Sequence, residues 1–187
     1  MMNEPVLTKR IPTFPYADPK DRHVVHYDEF VKTGGYEALR KSIGMERSDV
    51  VSLVKDCILR GRGGAGFPAG LKWSFLPEPD GGKRYLCINC DEAEPGTFKD
   101  RYCFETTPHR VIEGALIAAW SVEAEAAYIY LRDEYPACRE VLLTEIKKVE
   151  DALRSGAGTM EEALSTIANS LLRSAPRWEA EAARGDD

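Results

Sequence analysis

The chain has 187 residues, 43% of them hydrophobic, with 31 acidic against 25 basic side chains and a formal net charge of −6. That length suits one domain, or one domain with appendages, and the negative balance argues against a general nucleic-acid binder, which would show a basic face. No apolar run reaches the length of a membrane span and the N-terminus lacks an apolar signal-peptide centre, so a cytoplasmic protein is the expectation. The five cysteines, Cys57, Cys87, Cys90, Cys103 and Cys138, are odd in number and scattered, unlike a secreted disulfide framework.

Residues 1–24 carry Pro5, Pro12, Pro15 and Pro19 among polar residues and read as an extended arm. Tyr27 to Ile43 has helical spacing in Tyr36, Leu39 and Ile43, interrupted early by Gly34-Gly35. Ser48 or Asp49 is placed to cap a further helix through Val50, Leu53, Val54, Ile58 and Leu59, which runs straight into a glycine-rich stretch, Gly61 to Phe75. Pro77 to Gly82 is a turn. Tyr85 to Asn89 is a short apolar strand of the kind buried on both faces of a parallel sheet. Pro108 opens a long helix with Ile112, Ala115, Leu116 and Ala119 on one face; Ala127 to Leu131 is a second strand, and Tyr135 to Leu153 another helix. The order strand, helix, strand, helix predicts an α/β fold with an incomplete Rossmann-like parallel sheet, two strands wide, preceded by a helical segment. The domain spans 25–156. After Gly156-Ala157-Gly158 the character changes: Thr159-Met160-Glu161-Glu162 is a capping box opening an amphipathic helix with Ala163, Leu164, Ile167, Ala168, Leu171 and Leu172, and 157–187 reads as a helical tail.

Two stretches carry chemistry. Gly61, Arg62, Gly63, Gly64, Ala65 and Gly66 form a loop that buries no large side chain, so its use lies in close backbone approach with N–H groups free to donate. Arg62 and Lys72 bias the ligand towards an anion, while Phe67, Trp73 and Phe75 offer flat faces. The glycines satisfy G-x-G-x-x-G, but a dinucleotide fingerprint follows a strand and opens a helix. Here a helix precedes the loop, and no Gly-Lys-Ser/Thr closes it as a Walker A. A helix C-cap followed by a plain connector is the alternative. In the second stretch Asn89, Asp91, Glu92 and Glu94 sit where the first strand ends, the place at which open α/β sheets bind ligands. Carboxylates there accept from sugar or ribityl hydroxyls and repel phosphate; a solvated acidic turn is the alternative. Cys87 and Cys90 spell C-x-x-C, yet on a strand they point to opposite faces, so no metal site is expected. His109 follows Pro108 as a capping or packing residue.

Leu59 to Pro68, Leu71-Lys72-Trp73, Asn89 to Arg101, Pro108-His109 and Glu113-Gly114 resemble the flavin-binding 51 kDa subunit of respiratory complex I and its diaphorase relatives. Tyr128 to Tyr135 is most similar to the β subunit of NAD-dependent formate dehydrogenase. The resemblance covers 25–150 and implies an NADH dehydrogenase (diaphorase) subunit that passes hydride between NAD(H) and FMN, with electrons leaving to iron–sulfur subunits. It further implies that Gly61 to Gly66, with Arg62, and Lys72 line the flavin phosphate, that Asn89, Asp91 and Glu92 hold the ribityl and ring region, that Phe67 and Phe75 stack on the adenine of NADH, and that Glu94 meets the nicotinamide half in the catalytic position. Neither nucleic acid nor direct membrane insertion is implied.

The departures are informative. The family's Tyr-x-Cys-Gly-Glu-Glu segment after Gly158 is replaced by Thr159 to Glu162, and the C-x-x-C-x-x-C motif of the 4Fe–4S cluster is absent, so no cysteine is carried over as a ligand. The chain is expected to be the first half of a flavoprotein with an unrelated tail, as a truncated or frameshifted gene would give, and to retain FMN weakly or not at all. A catalytically silent fragment or assembly module is the alternative.

Overall fold

The computed structural model describes residues 23–77 and 80–154. The N-terminal arm up to residue 22 and the tail helix beyond Gly158 lie outside the described residues. Seven helices and two strands follow in the order α1 (Tyr27–Lys32), α2 (Glu37–Ile43), α3 (Arg47–Asp56), α4 (Ala69–Trp73), β1 (Tyr85–Cys90), α5 (Lys99–Thr106), α6 (Pro108–Ser121), β2 (Ala126–Leu131) and α7 (Pro136–Arg154) among the described residues.

β1 and β2 pair in parallel, in the register Tyr85↔Ala126 through Cys90↔Leu131. The two-stranded parallel α/β arrangement is the one the strand–helix alternation predicts. Side chains alternate across a strand, and here the two faces differ. Leu86, Ile88, Ile129 and Leu131 pack into clusters with residues of α6 and α7. Tyr85, Cys87, Asn89, Tyr128 and Tyr130 are exposed on the opposite face. The expectation that β1 is buried on both faces is therefore corrected: both helices lie on one side of the sheet.

Pro108 stands at N1 of α6, where its missing N–H costs nothing. Ile112, Leu116 and Ala119 then meet Val25, Phe30 and Leu39 of the N-terminal segment in the larger core. The α1–α2 link is tight. Gly34 and Tyr36 adopt φ of +81° and +63°, and a Cβ on Gly35 would lie 2.0 Å from the Phe30 ring. Tyr36 tolerates its left-handed backbone because its buried hydroxyl is bonded to His109.

Three expectations shift. α3 begins one residue before Ser48 and ends at Asp56, with Glu46 at the N-cap and no side-chain cap. Ser48 and Asp49 lie inside it, so neither caps it. It does not run to Leu59: Ile58 turns out of it at φ +54°. α4 forms within the stretch read as a glycine-rich loop, and α5 forms where the sequence pattern assigned no element. The turn before β1 is held by Asp80, whose carboxylate accepts from the Gly82 N–H at 2.8 Å.

Candidate functional site

The glycine loop is closed at its mouth. Arg60 and Pro68 form an antiparallel bridge, the Gly61 N–H donates to the Phe67 carbonyl at 3.0 Å, and the Ala69 N–H donates to the Leu59 carbonyl at 2.7 Å. Residues 61–67 thus form a small ring of backbone. Gly64 and Gly66 take φ of +136° and +64°, conformations other residues adopt at a cost, and a Cβ at Gly63 or Gly64 would meet nothing within 4 Å. Internal packing does not demand glycine at those two positions. What the glycines leave is bare backbone open to an incoming group. Arg62 and Ala65 are exposed on the same ring.

α4 follows immediately and is locked to α3. A Cβ on Gly70 would sit 2.3 Å from the Lys55 backbone nitrogen, so only glycine permits the approach. Lys72 lies in the last turn of α4 and is exposed. Phe67 and Phe75, 46% and 66% exposed, bring their rings to 6.1 Å at an angle of 53°. Two exposed rings this close present an apolar step beside the glycine ring.

The acidic stretch is built differently. At the end of β1 the Asn89 side-chain oxygen accepts from the Asp91 N–H at 3.1 Å, which turns the chain locally. Asp91 and Glu94 are exposed; the Glu94 carbonyl closes a turn onto the Thr97 N–H at 3.1 Å. Glu92 is buried, its side chain 3% exposed. Its carboxylate accepts from the N–H groups of Asp100 at 3.1 Å and Arg101 at 3.4 Å and from the Tyr135 hydroxyl at 3.4 Å. Lys99 Nζ is 3.7 Å away. Glu92 thereby satisfies two of the otherwise unpaired N–H groups at the start of α5, and its carbonyl accepts from Arg132 Nη1 at 2.8 Å. Its geometry is that of a brace behind the loop, while Asn89, Asp91 and Glu94 are exposed.

Donors and acceptors are therefore segregated. The ring of amides with Arg62 and Lys72 suits a phosphate; Asn89, Asp91 and Glu94 suit hydroxyls or a ring amide; Phe67 and Phe75 suit a flat base. These residue types fit a phosphorylated ribityl or ribosyl cofactor. Cys87 is exposed and Cys90 buried, so the C-x-x-C pair does not converge, and burial pushes the Cys90 thiol up to about 12. Among the described residues no group of three His, Cys, Asp or Glu side chains could hold a metal ion.

One constellation gave no sign in the sequence. His109 is fully buried beneath α1 and α2, its ring stacked on Phe30 at 5.6 Å. Its Nδ1 lies 2.7 Å from the Tyr36 hydroxyl and its Nε2 2.7 Å from Glu145. Burial raises the Tyr36 pKa, so the hydroxyl keeps its proton and donates to Nδ1. Nε2–H then donates to the carboxylate. Burial lowers the His109 pKa against the pull of Glu145, which keeps the ring neutral. Glu145 itself, 1% exposed, also binds His26 Nδ1 at 2.7 Å, Lys148 Nζ at 2.8 Å and the Tyr27 N–H at 3.2 Å. Burial alone would raise its pKa; these bonds outweigh it and hold the carboxyl at about 2. The packing role expected of His109 is the one observed.

The model of the Nuo51 FMN-binding domain matches residues 54–171, which takes in both loops and continues through 157–171. The chain is similar to a subunit of the NADH-quinone oxidoreductase of Rhizobium meliloti, at 46% identity over 81% of this chain and 33% of that protein. It is also similar to the corresponding NADH-quinone oxidoreductase subunit of Aquifex aeolicus, at 45% identity over 70% of this chain and 30% of that protein. It thus spans about a third of the length of these relatives. Among solved structures it resembles a chain of an NAD+-reducing NiFe-hydrogenase in the air-oxidized state, with a TM-score of 0.58 and 33% identity over 71% of this chain and 24% of that one. A closed glycine ring, an acidic loop braced by the buried Glu92 and a parallel strand pair agree with the sequence match: this chain belongs to the family of the Nuo51 FMN-binding domain.

Proposed function

We propose that the chain supplies one wall of an FMN and NADH site in a multi-subunit dehydrogenase, with hydride passing between NAD(H) and FMN and electrons leaving to iron–sulfur subunits. FMN, when bound, supplies the redox chemistry; the protein supplies position and electrostatics. Gly61, Gly63, Gly64, Ala65 and Gly66 present backbone N–H groups to the phosphate, with Arg62 and Lys72 as its cations. Asn89 and Asp91 receive the ribityl and ring polar groups, and Glu92 sets their position from behind. Phe67 and Phe75 take the adenine, and Glu94 the nicotinamide half. The organisation follows as an arm (1–24), a domain (25–156) and a tail (157–187), in a cytoplasmic assembly. The formate dehydrogenase β-subunit branch rests on Tyr128 to Tyr135.

The observation that carries this reading is the family match across both loops, combined with a glycine ring whose Cβ positions at Gly63 and Gly64 face open space. FMN titration followed by flavin fluorescence tests it. Lys72→Ala should weaken binding by roughly tenfold or more, the worth of one charge-assisted contact. Unchanged affinity would remove Lys72 from the phosphate site, and no binding at high micromolar FMN would overturn the reading for this chain on its own.

A second reading is a catalytically silent fragment or assembly module, favoured by the enclosure of Glu92, whose carboxylate is spent on bonds within the fold. NADH–ferricyanide activity in the presence of FMN separates the two.

A further inference from the structure

Arg132 is the first residue after β2, and it reaches across to the loop that leaves β1. Its backbone N–H donates to the Cys90 carbonyl at 3.3 Å, and its Nη1 donates to the Glu92 carbonyl at 2.8 Å. Those two carbonyls flank Asp91. The Asp91 N–H is engaged as well, donating to the Asn89 side-chain oxygen at 3.1 Å. The Tyr135 hydroxyl adds a further bond, to the Glu92 carboxylate at 3.4 Å. The segment after β2 thus grips the segment after β1 at three points, two of them supplied by Arg132. Arg132 is itself oriented: its Nη2 donates to Glu134 at 2.9 Å, and its side chain is 26% exposed against 64% for Glu134.

We infer that Arg132 is the positioning residue for Asp91: by holding the backbone on both sides of Asp91, it fixes the direction in which that exposed carboxylate meets a ligand. The inference rests on the reading above that Asp91 receives polar groups of the flavin. A carboxylate carried on a free loop must be ordered when the ligand arrives, and that ordering is subtracted from affinity. A loop clamped beforehand avoids the loss, which is how supporting residues act through the ones they hold. Arginine suits the task. A charged donor makes a stronger bond to a carbonyl than a neutral one does. Its planar fork lets one arm hold the loop while Glu134 steadies the other. Both arms are occupied within the protein, so Arg132 acts through Asp91 and is not a further cation for the ligand. Asp91 is left with a fixed backbone and an exposed side chain.

Two measurements on the full chain test this, one without ligand and one with FMN. Backbone order parameters from nitrogen-15 relaxation should stand at about 0.85 for Asp91 and Glu92 in the wild type and fall below about 0.6 in Arg132→Met, with α1 to α3 unchanged. Arg132→Lys, which keeps one charged donor for the Glu92 carbonyl, should restore them. In FMN titrations Arg132→Met should raise Kd by about tenfold. In an Asp91→Ala background the same substitution should change Kd by less than about twofold, because the residue it positions is gone. Where Arg132→Met does not fold, Arg132→Gln, too short to reach the Glu92 carbonyl, carries the same comparison. Order parameters at Asp91 and Glu92 that stay at the wild-type level overturn the proposal. So does a loss of FMN affinity that is as large without Asp91 as with it, which would make Arg132 a ligand contact or a general stabiliser. A wild-type chain that binds no FMN would remove the cofactor reading, and the order parameters would then decide by themselves whether Arg132 holds Asp91.

Discussion

Replacing Glu145 with glutamine should destabilise the chain and change how its stability depends on pH. The Glu145 carboxylate accepts four hydrogen bonds, from His109, His26, Lys148 and the Tyr27 backbone. Glutamine keeps one acceptor oxygen and turns a second N–H donor against one of these donors. A carboxyl held at about 2 against its ordinary 4.5 is linked to roughly 3 kcal/mol of folding free energy at neutral pH. Breaking a buried pair costs a similar amount. For a chain of this size that lowers Tm by roughly 6–12 °C. Because the folded-state pKa is depressed, the contribution is complete above 4.5 and drains away as pH falls towards 2. It stands at roughly 1.5 kcal/mol at pH 3. His109, also held below its usual 6.5, adds an acid loss that begins nearer 6.5 in the wild type. Urea unfolding followed by circular dichroism from pH 3 to 8 would show the wild type and Glu145→Gln far apart at pH 7 and converging below pH 4.5. Glu140→Gln, on an exposed position of α7, should stay within about 0.5 kcal/mol of wild type throughout. A Glu145→Gln protein as stable as wild type at pH 7, or two curves parallel down to pH 3, would refute the reasoning.

Gly70→Ala should cost about 1–3 kcal/mol, because its Cβ meets the Lys55 backbone at 2.3 Å; a thermal melt equal to wild type would show that α4 can lift off α3 freely. Glu92→Gln should loosen α5 and its neighbouring loop by about 1–2 kcal/mol, read as faster amide exchange at Asp100 and Arg101, and exchange equal to wild type there would deny the brace. Cys57 and Cys87 are exposed while Cys90 and Cys138 are buried, the latter two with thiols pushed up to about 12 by burial. A disulfide dye should therefore label the first pair in the native chain and the second pair after unfolding; early labelling of Cys90 would contradict the packing of β1 on α7.

The framework was legible wherever an element is long and its apolar period is clean. β2, α6 and α7 begin and end within a residue or so of the pattern in the sequence. Elements that depend on partners elsewhere were not. α5 opens on Lys99-Asp100-Arg101 with no capping residue of its own; Glu92, upstream in the preceding loop, holds its end. α4 contains a glycine that local propensity counts against a helix, yet Lys55 in α3 requires it. β1 looked buried on both sides because its residues are apolar, whereas Tyr85 and Cys87 face outwards. The two loops of the candidate site could be picked out by composition, but composition did not separate Glu92, which is enclosed, from Asp91 and Glu94, which are not. The Tyr36–His109–Glu145 line joins residues 73 and 36 positions apart, beyond any local period.

The Gly70 contact has a mechanical consequence for the candidate site. Because α4 is keyed into α3, Lys72 is mounted on the domain's rigid frame, while the neighbouring amides sit on a hoop anchored only at Arg60 and Pro68. A side chain added at Gly63 or Gly64 would therefore alter the hoop alone, whereas one added at Gly70 would shift the backbone that carries Lys72. The two halves of the candidate site are mechanically separable, one built of loop and the other of packed helix.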